Sequence, residues 1–266
     1  MVDQEFALEY PLAGRNEKPR SRGLTMVIDK GLGLAALADF LEVNWPFLDF
    51  IKFSFATSLL YPEKILREKI ALIKSYGIIP YPGGTLFEIA VVQNKMEEYF
   101  KSLRELGFPA LEISDGTINL PVQLREEAIK EARASGFMVL TEVGKKDQEE
   151  SLSLAETGKI LELDLLAGVD YIIIEGRESG KGIFIYDYEG SINLSLFTGI
   201  LAIVEERQEK LIWEAPLKKQ QVFLIKELGV NVNLGNIPPE EVMAVEALRR
   251  GLRGDTFKLS LKEAGF

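Results

Sequence analysis

The 266-residue sequence predicts one α/β domain folded as a (β/α)8 TIM-type barrel, on three observations. Eight short apolar, β-branched runs recur along the chain, segments of helical periodicity separate them, and five of those segments end in glycine just before the next run. Near-continuous apolar strands alternating with amphipathic helices imply a parallel sheet covered by helices, and eight such units in about 250 residues fit a closed barrel better than an open doubly wound sheet.

The elements follow in order. An N-terminal arm over residues 1–22 leads into the first apolar run, Leu24–Ile28, which a helix over Leu34–Val43 separates from the second, Phe50–Phe53. Helical periodicity then covers Pro62–Tyr76 and stops at Gly77, ahead of the strand Ile78–Tyr81. One long helix is predicted over Phe87–Leu106, closed by Gly107, before the strand Ala110–Ile113. The helix Val122–Ser135 ends at Gly136 and the strand Met138–Thr141 follows; the helix Ser151–Ala167 ends at Gly168 and precedes the strand Tyr171–Ile174. The last units are a helix Leu194–Glu209, a strand Leu211–Trp213, a helix Lys218–Leu228 closed by Gly229, a strand Val230–Leu234 and a helix Pro239–Arg249. Glycine recurs at these stops because it enters the left-handed C-cap conformation without a steric penalty.

Composition narrows the chemistry. Hydrophobic residues make up 47% and charged residues 27%, the proportions of a soluble globular protein. No apolar run approaches the roughly 18 to 20 residues of a membrane helix, and the start MVDQEFALEY lacks a basic-then-apolar leader, so a cytoplasmic location is expected. The chain holds no cysteine and no histidine, which excludes a thiolate nucleophile, a thiolate zinc site and an imidazole base. Any bound metal would have mostly oxygen ligands, favouring hard cations such as Mg²⁺. The net charge of −10 repels nucleic acid and anionic membrane at long range, while a small anionic substrate remains compatible if basic groups converge locally.

In a closed barrel the active site lies at the C-terminal rim. Three apolar runs there are followed by an acid: Glu142 in LTEVG, Glu175 in IIIEGR and Glu214 in LIWEAP, with Asp115 near the fourth strand. Carboxylates sharing one mouth repel one another, so lysine, arginine or a divalent metal must neutralise them. Lys145, Lys146 and Arg177 bring positive charge to the same rim. Lys30 and Lys52 sit at or within apolar runs and require an anion. Gly235 and Asn236, after the predicted eighth strand, occupy the place where barrels often bind phosphate, and Arg253 adds charge beyond the last helix.

Seven blocks carry a resemblance: RGLTMVIDKGL at 22–32, YPGGTLFE at 81–88, LEISDG at 111–116, GFMVLTEVGKK at 136–146, IIIEGRESGKGI at 172–183, EAPLKKQQ at 214–221 and LRRGLRGDTF at 248–257. On these the chain resembles the phosphosulfolactate synthase family. The resemblance implies a TIM-type barrel and a Mg²⁺-dependent addition of sulfite to phosphoenolpyruvate, giving (2R)-3-phosphosulfolactate as in one route to coenzyme M. In that reading Glu142, Glu175 and Glu214, with Asp115 as substitute, hold the metal. Without histidine an ammonium group is the expected proton donor; the spacing leaves Lys145 and Lys146 both open, and the resemblance favours Lys146. Arg177, Lys30 and Lys52 would meet the anionic substrates, and Gly235, Asn236 and Arg253 would hold phosphate. The sequence leaves homo-oligomerisation open. It departs from the family's usual KFGWGTS at Lys52–Ser58, which reads KFSFATS, so Ser54 and Ala56 are expected to crowd any close backbone approach there. The competing readings are a Schiff-base aldolase using a barrel lysine such as Lys52 and a non-catalytic stress-related or binding member of the same family.

Overall fold

Alternation along eight parallel strands sorts the side chains into an inner and an outer layer. The structure, a computed structural model, describes residues 7–147 and 152–263. In chain order it contains β1 (Thr25–Asp29), α1 (Leu34–Asn44), β2 (Phe50–Phe53), α2 (Glu63–Ser75), β3 (Ile79–Pro82), α3 (Gly84–Val92), α4 (Met96–Leu106) and β4 (Ala110–Ile113). There follow α5 (Val122–Ala134), β5 (Met138–Val143), α6 (Leu154–Ala167), β6 (Tyr171–Ile174), α7 (Leu194–Val204), β7 (Leu211–Glu214), α8 (Lys218–Leu228), β8 (Leu234–Ile237), α9 (Val242–Arg249) and α10 (Gly254–Glu263). The strands pair in the order β3-β2-β1-β8-β7-β6-β5-β4, and β3 and β4 lie side by side, which brings the sheet nearly to closure as a (β/α)8 TIM barrel.

Outward residues such as Val27, Phe53, Val139, Ile172 and Trp213 join the helices in the larger apolar cluster. Inward residues Met26, Phe50, Tyr81, Ala110, Leu140, Ile173 and Ile212 form a second, separate cluster that fills the barrel. Each fully buried aliphatic side chain contributes about 1.5–3 kcal/mol. The next inward position is two residues further along each strand, so Phe50 is followed by Lys52, Ala110 by Glu112, Leu140 by Glu142, Ile173 by Glu175 and Ile212 by Glu214. The period of two thereby stacks a charged layer on an apolar floor.

Several predicted boundaries differ. The helix expected over Phe87–Leu106 is two helices: Asn94 takes a left-handed φ of 55°, and Lys95 donates its N–H to Ala90 O. The helix expected to reach Glu209 stops at Val204, and Glu205–Lys210 tighten into a 3-10 turn. The eighth strand is Leu234–Ile237 rather than Val230–Leu234. Residues 229–232 form a turn, and Asn233 spends its side chain on Leu24 N–H, Glu209 O and Leu211 O before the ladder with β1 begins. The predicted start of the sixth helix region, Ser151, and residues 1–6 of the arm lie outside the described residues. All five helix-stop glycines have positive φ, from 67° at Gly77 to 92° at Gly107. Among the described residues no helix is long and apolar enough to cross a membrane.

Candidate active site

The charged layer converges on Lys52. Its ammonium lies 3.0 Å from Glu112 Oε2 and 3.1 Å from both Glu142 Oε2 and Glu214 Oε1. The other Glu112 oxygen accepts the Gly84 N–H at 2.7 Å, and Glu214 Oε2 accepts the Gly176 N–H at 3.0 Å. Gly84 permits this approach because a Cβ there would meet Ser114 Cβ at 2.3 Å. These groups line a cavity of about 280 Å³ at the C-terminal mouth, together with Lys146, Glu175, Arg177 and Asn236.

Lys146 reaches the same cluster from the loop after β5. Its Nζ lies 3.4 Å from Glu142 Oε1 and 3.9 Å from Glu88 Oε1. Ser114 Oγ stands 2.9 Å from Glu88 Oε1 and 3.0 Å from Glu142 Oε1, linking the two acids. Behind β5, buried Arg125 holds the Glu142 carbonyl at 3.1 Å while both Asp164 oxygens hold Arg125. The backbone that carries Glu142 is therefore fixed from outside the barrel.

Burial opposes every charge in this layer, and the neighbours decide which survive. Burial pushes Glu142 up, but Lys146 and Lys52 outweigh it and hold the carboxyl well below its usual range. Burial raises Glu175 strongly, and the charges of Glu142 and Glu214 raise it further. Glu112 is pushed up to about 7 by burial despite Lys52. Burial would lower Lys52 and Lys146, yet the surrounding glutamates lift both above the ordinary lysine value, so both are ammonium ions at neutral pH.

One oxygen from each of Glu142, Glu175 and Glu214 lies within 4.8 Å of the others. Glu175 Oε1 takes the Arg177 N–H at 2.7 Å, whereas its buried Oε2 has no hydrogen-bond partner. With all four glutamates ionised the layer would carry two more negative than positive charges, and burial together with this excess raises Glu175 and Glu112 in the absence of a further cation. An all-oxygen donor set with an orphaned oxygen and that excess suits one hard divalent cation.

The predicted residues divide. Glu142, Glu175, Glu214, Lys52, Lys146, Arg177 and Asn236 all line the mouth. Lys145 does not: its ammonium donates to the carbonyls of Asp115 and Ile118 at 2.7 Å each and is buried against the loop after β4. Asp115 is held by Arg125 at 3.1 Å and Lys145 at 3.5 Å, apart from the three glutamates. Lys30 is exposed and sits 6.0 Å over the Phe55 ring; the strand's buried charge is its neighbour Asp29, paired with Lys69 at 2.6 Å. Arg253 immediately precedes α10, its carbonyl accepting from the N–H groups of Thr256 and Phe257, and it does not line the cavity.

Gly235 and Asn236 belong to β8 and not to a loop beyond it. Three residues of β1, Thr25 to Val27, stand against four of β8, Leu234 to Ile237, so a bulge falls on Gly235 and Asn236. Gly235 faces inward, where a Cβ would meet Met26 Cε at 2.4 Å, and its lack of a side chain serves packing. The bulge lets Asn236 also reach the mouth, with φ 52°. A search of strand ends passes over Glu112, which lies inside β4; its signal is an acid two residues beyond an inward alanine.

The sequence matches the (2R)-phospho-3-sulfolactate synthase (ComA) family over residues 13–255. It is 48% identical over 238 residues to the phosphosulfolactate synthase of Methanocaldococcus jannaschii, covering 89% of this chain and 94% of that one. It is 45% identical over 252 residues to the phosphosulfolactate synthase of Methanothermobacter thermautotrophicus, covering 94% and 97%. The fold is shared with 3-hexulose-6-phosphate synthase from Salmonella typhimurium, at a TM-score of 0.56 and 14% identity over 90% of this chain and 99% of that one. Matched over most of its length at this level of identity, the chain belongs to the phosphosulfolactate synthase family.

Proposed function

We propose that the protein adds sulfite to phosphoenolpyruvate to give (2R)-3-phosphosulfolactate, a carbon–sulfur lyase reaction run in the synthetic direction with Mg²⁺ as cofactor. The observation that carries this reading is the meeting of a three-carboxylate cluster with the Lys146 ammonium in one mouth, in a chain whose relatives bear the synthase name. Glu142, Glu175 and Glu214 would hold Mg²⁺, which when bound supplies electrostatic stabilisation of negative charge developing on the substrate.

Sulfite is its own nucleophile, so no protein nucleophile is required. Its sulfur lone pair forms the new C–S bond to the methylene carbon, and the C=C electron pair moves onto the substrate carboxylate. The phosphate ester stays intact. Lys146 then delivers a proton to the phosphate-bearing carbon, restoring the carboxylate. Its raised pKa means that the proton is in place when the reaction begins. Lys52, clamped by three carboxylates, offsets charge without moving, and Arg177 at the rim meets sulfite or the substrate carboxylate.

The test is an assay of phosphosulfolactate from phosphoenolpyruvate and sulfite with Mg²⁺, repeated with EDTA and with Glu142→Gln. Product that forms with sulfite and vanishes in both controls is expected. A correctly folded parent that makes none overturns the proposal and favours a non-catalytic member.

A further inference from the structure

The cavity has two unlike halves. All its buried carboxylates come from β4, β5, β6 and β7, whereas β8, β1, β2 and β3 with their following turns contribute Asn236, Ile28, Lys52, Ser54, Phe55, and Gly83 to Thr85. Among the described residues, none that lines this second half is acidic. Asp29, at the end of β1, turns away to Lys69 and to the N–H groups of Gly31 and Leu32.

Two polar atoms on this half are buried without a partner. Ser54 is 2% exposed and its Oγ has no hydrogen-bond partner, although its N–H reaches Asp29 O and its carbonyl takes Thr57 N–H. Asn236 is 3% exposed with Oδ1 likewise unpaired. Buried polar atoms in native proteins are nearly always paired, so two orphans facing one cavity mark places for ligand atoms. The choice of amide oxygen or nitrogen at Asn236 can follow the ligand, because a half-turn of the side chain exchanges them.

The first turn of α3 stands beside Ser54. Phe53 pairs with Pro82 and accepts the Gly83 N–H, so Ser54 and Gly83–Thr85 leave the sheet together. A helix N-terminus carries a partial positive charge; in α3 the Gly84 N–H is taken by Glu112 and the Leu86 N–H by the Gly83 carbonyl, so Thr85 offers the amide of this turn. Thr85 adds a hydroxyl, which Lys146 Nζ approaches at 3.5 Å.

We infer that Ser54, Thr85, Asn236 and the α3 N-terminus form an oxyanion subsite that takes the phosphoryl group of the substrate. The carboxylates are confined to one half, and the acid-free half offers such a dianion the Ser54 and Thr85 hydroxyls, the Asn236 amide and the Thr85 N–H, with the Lys52 ammonium beside them. The need for an oxyanion comes from the geometry; naming it the phosphoryl group rests on the proposed reaction. This assignment replaces Gly235 and Arg253, which the fold commits to packing and to the start of α10.

The test is isothermal titration of the parent, Ser54→Ala, Ser54→Gly and Thr85→Val with inorganic phosphate, phosphoenolpyruvate and sulfite separately, with circular dichroism to confirm folding. The parent should bind inorganic phosphate, and each variant should bind phosphate and phosphoenolpyruvate about ten-fold or more weakly, as loss of a hydrogen bond to a charged group implies. Sulfite binding should change by less than about two-fold, well under the effect of one lost charged hydrogen bond. Phosphate binding that is absent in the parent, or unchanged in all folded variants, overturns the subsite, and weakening confined to sulfite reassigns it to the nucleophile. Ser54-dependent phosphate binding without sulfite-dependent turnover would leave the subsite standing and sink only the reaction.

Discussion

Lys52 Nζ lies 3.0 Å from Glu112 Oε2 inside the barrel, and the second Glu112 oxygen holds the first amide of α3. One buried carboxylate thus ties the central cation on β2 to the turn after β3. Lys52 also donates hydrogen bonds to Glu142 and Glu214, and the three carboxylates raise its pKa well above the ordinary lysine value against the pull of burial.

A lysine held in this way is a poor Schiff-base nucleophile, because imine formation needs the free amine. Borohydride reduction in the presence of pyruvate should therefore leave Lys52 unlabelled when peptides are analysed by mass spectrometry. Lys52→Met should lower stability by about 3–5 kcal/mol in urea denaturation, since it strands buried carboxylates. A labelled Lys52 would revive the aldolase reading.

The adjacent lysines should separate cleanly. Lys146→Met removes the ammonium that faces the mouth and should lower kcat by about 10²–10⁴-fold, with some loss of stability because buried Glu142 loses a partner. Lys145→Met leaves the carbonyls of Asp115 and Ile118 without their donor and should cost about 1–3 kcal/mol of stability while kcat stays within a few-fold. Steady-state rates and thermal melts on both variants check this, and the reverse pattern would exchange their roles.

The barrel was legible because its strands and helices carry different periods, 2 and about 3.6, and because glycine marks the helix stops. The three mouth glutamates were legible for the same reason, each standing after an apolar run. Side-chain direction was not. Lys145 and Lys146 are neighbours in sequence, and only the turn after β5 sends one to the cavity and the other to the β4 loop. Glu112 was hidden inside a strand, and the β8 bulge that carries Asn236 inward shows only as an extra residue in the ladder with β1. Lys30, expected to need an anion, is exposed, and the charge buried at that strand end is Asp29, whose partner Lys69 lies 40 residues away.

Cation binding should register without turnover. If Glu142, Glu175 and Glu214 hold Mg²⁺, adding it at about a hundred times its Kd stabilises the fold by about 2.7 kcal/mol. For a chain of this size that is a rise in melting temperature of about 5–10 °C. Glu175→Gln keeps the side-chain shape and removes the charge, so the rise should disappear while the metal-free protein melts near the parent temperature or above it. The melt is followed by differential scanning fluorimetry with and without EDTA, and an equal Mg²⁺ response in parent and variant would place the ion elsewhere.

Phe55 and Ala56 follow β2 with φ of 54° and 52°, two successive non-glycine residues in the left-handed region. Each such residue costs about 1–2 kcal/mol. Phe55 is 52% exposed, so hydrophobic burial recovers only part of this, yet its ring lines the mouth. The strain is therefore held at the cavity, where it serves to keep an aromatic wall beside Ser54. Phe55→Gly should relieve the backbone, less about 0.5–1 kcal/mol for the greater freedom of glycine in the unfolded chain, and raise the melting temperature by about 1–3 °C. The same variant should bind phosphoenolpyruvate more weakly, because the mouth loses a wall and admits water. Calorimetric melts and titrations on one preparation measure both effects. A lower melting temperature would mean that the ring's contacts outweigh the strain, and unchanged binding would remove the ring from the site.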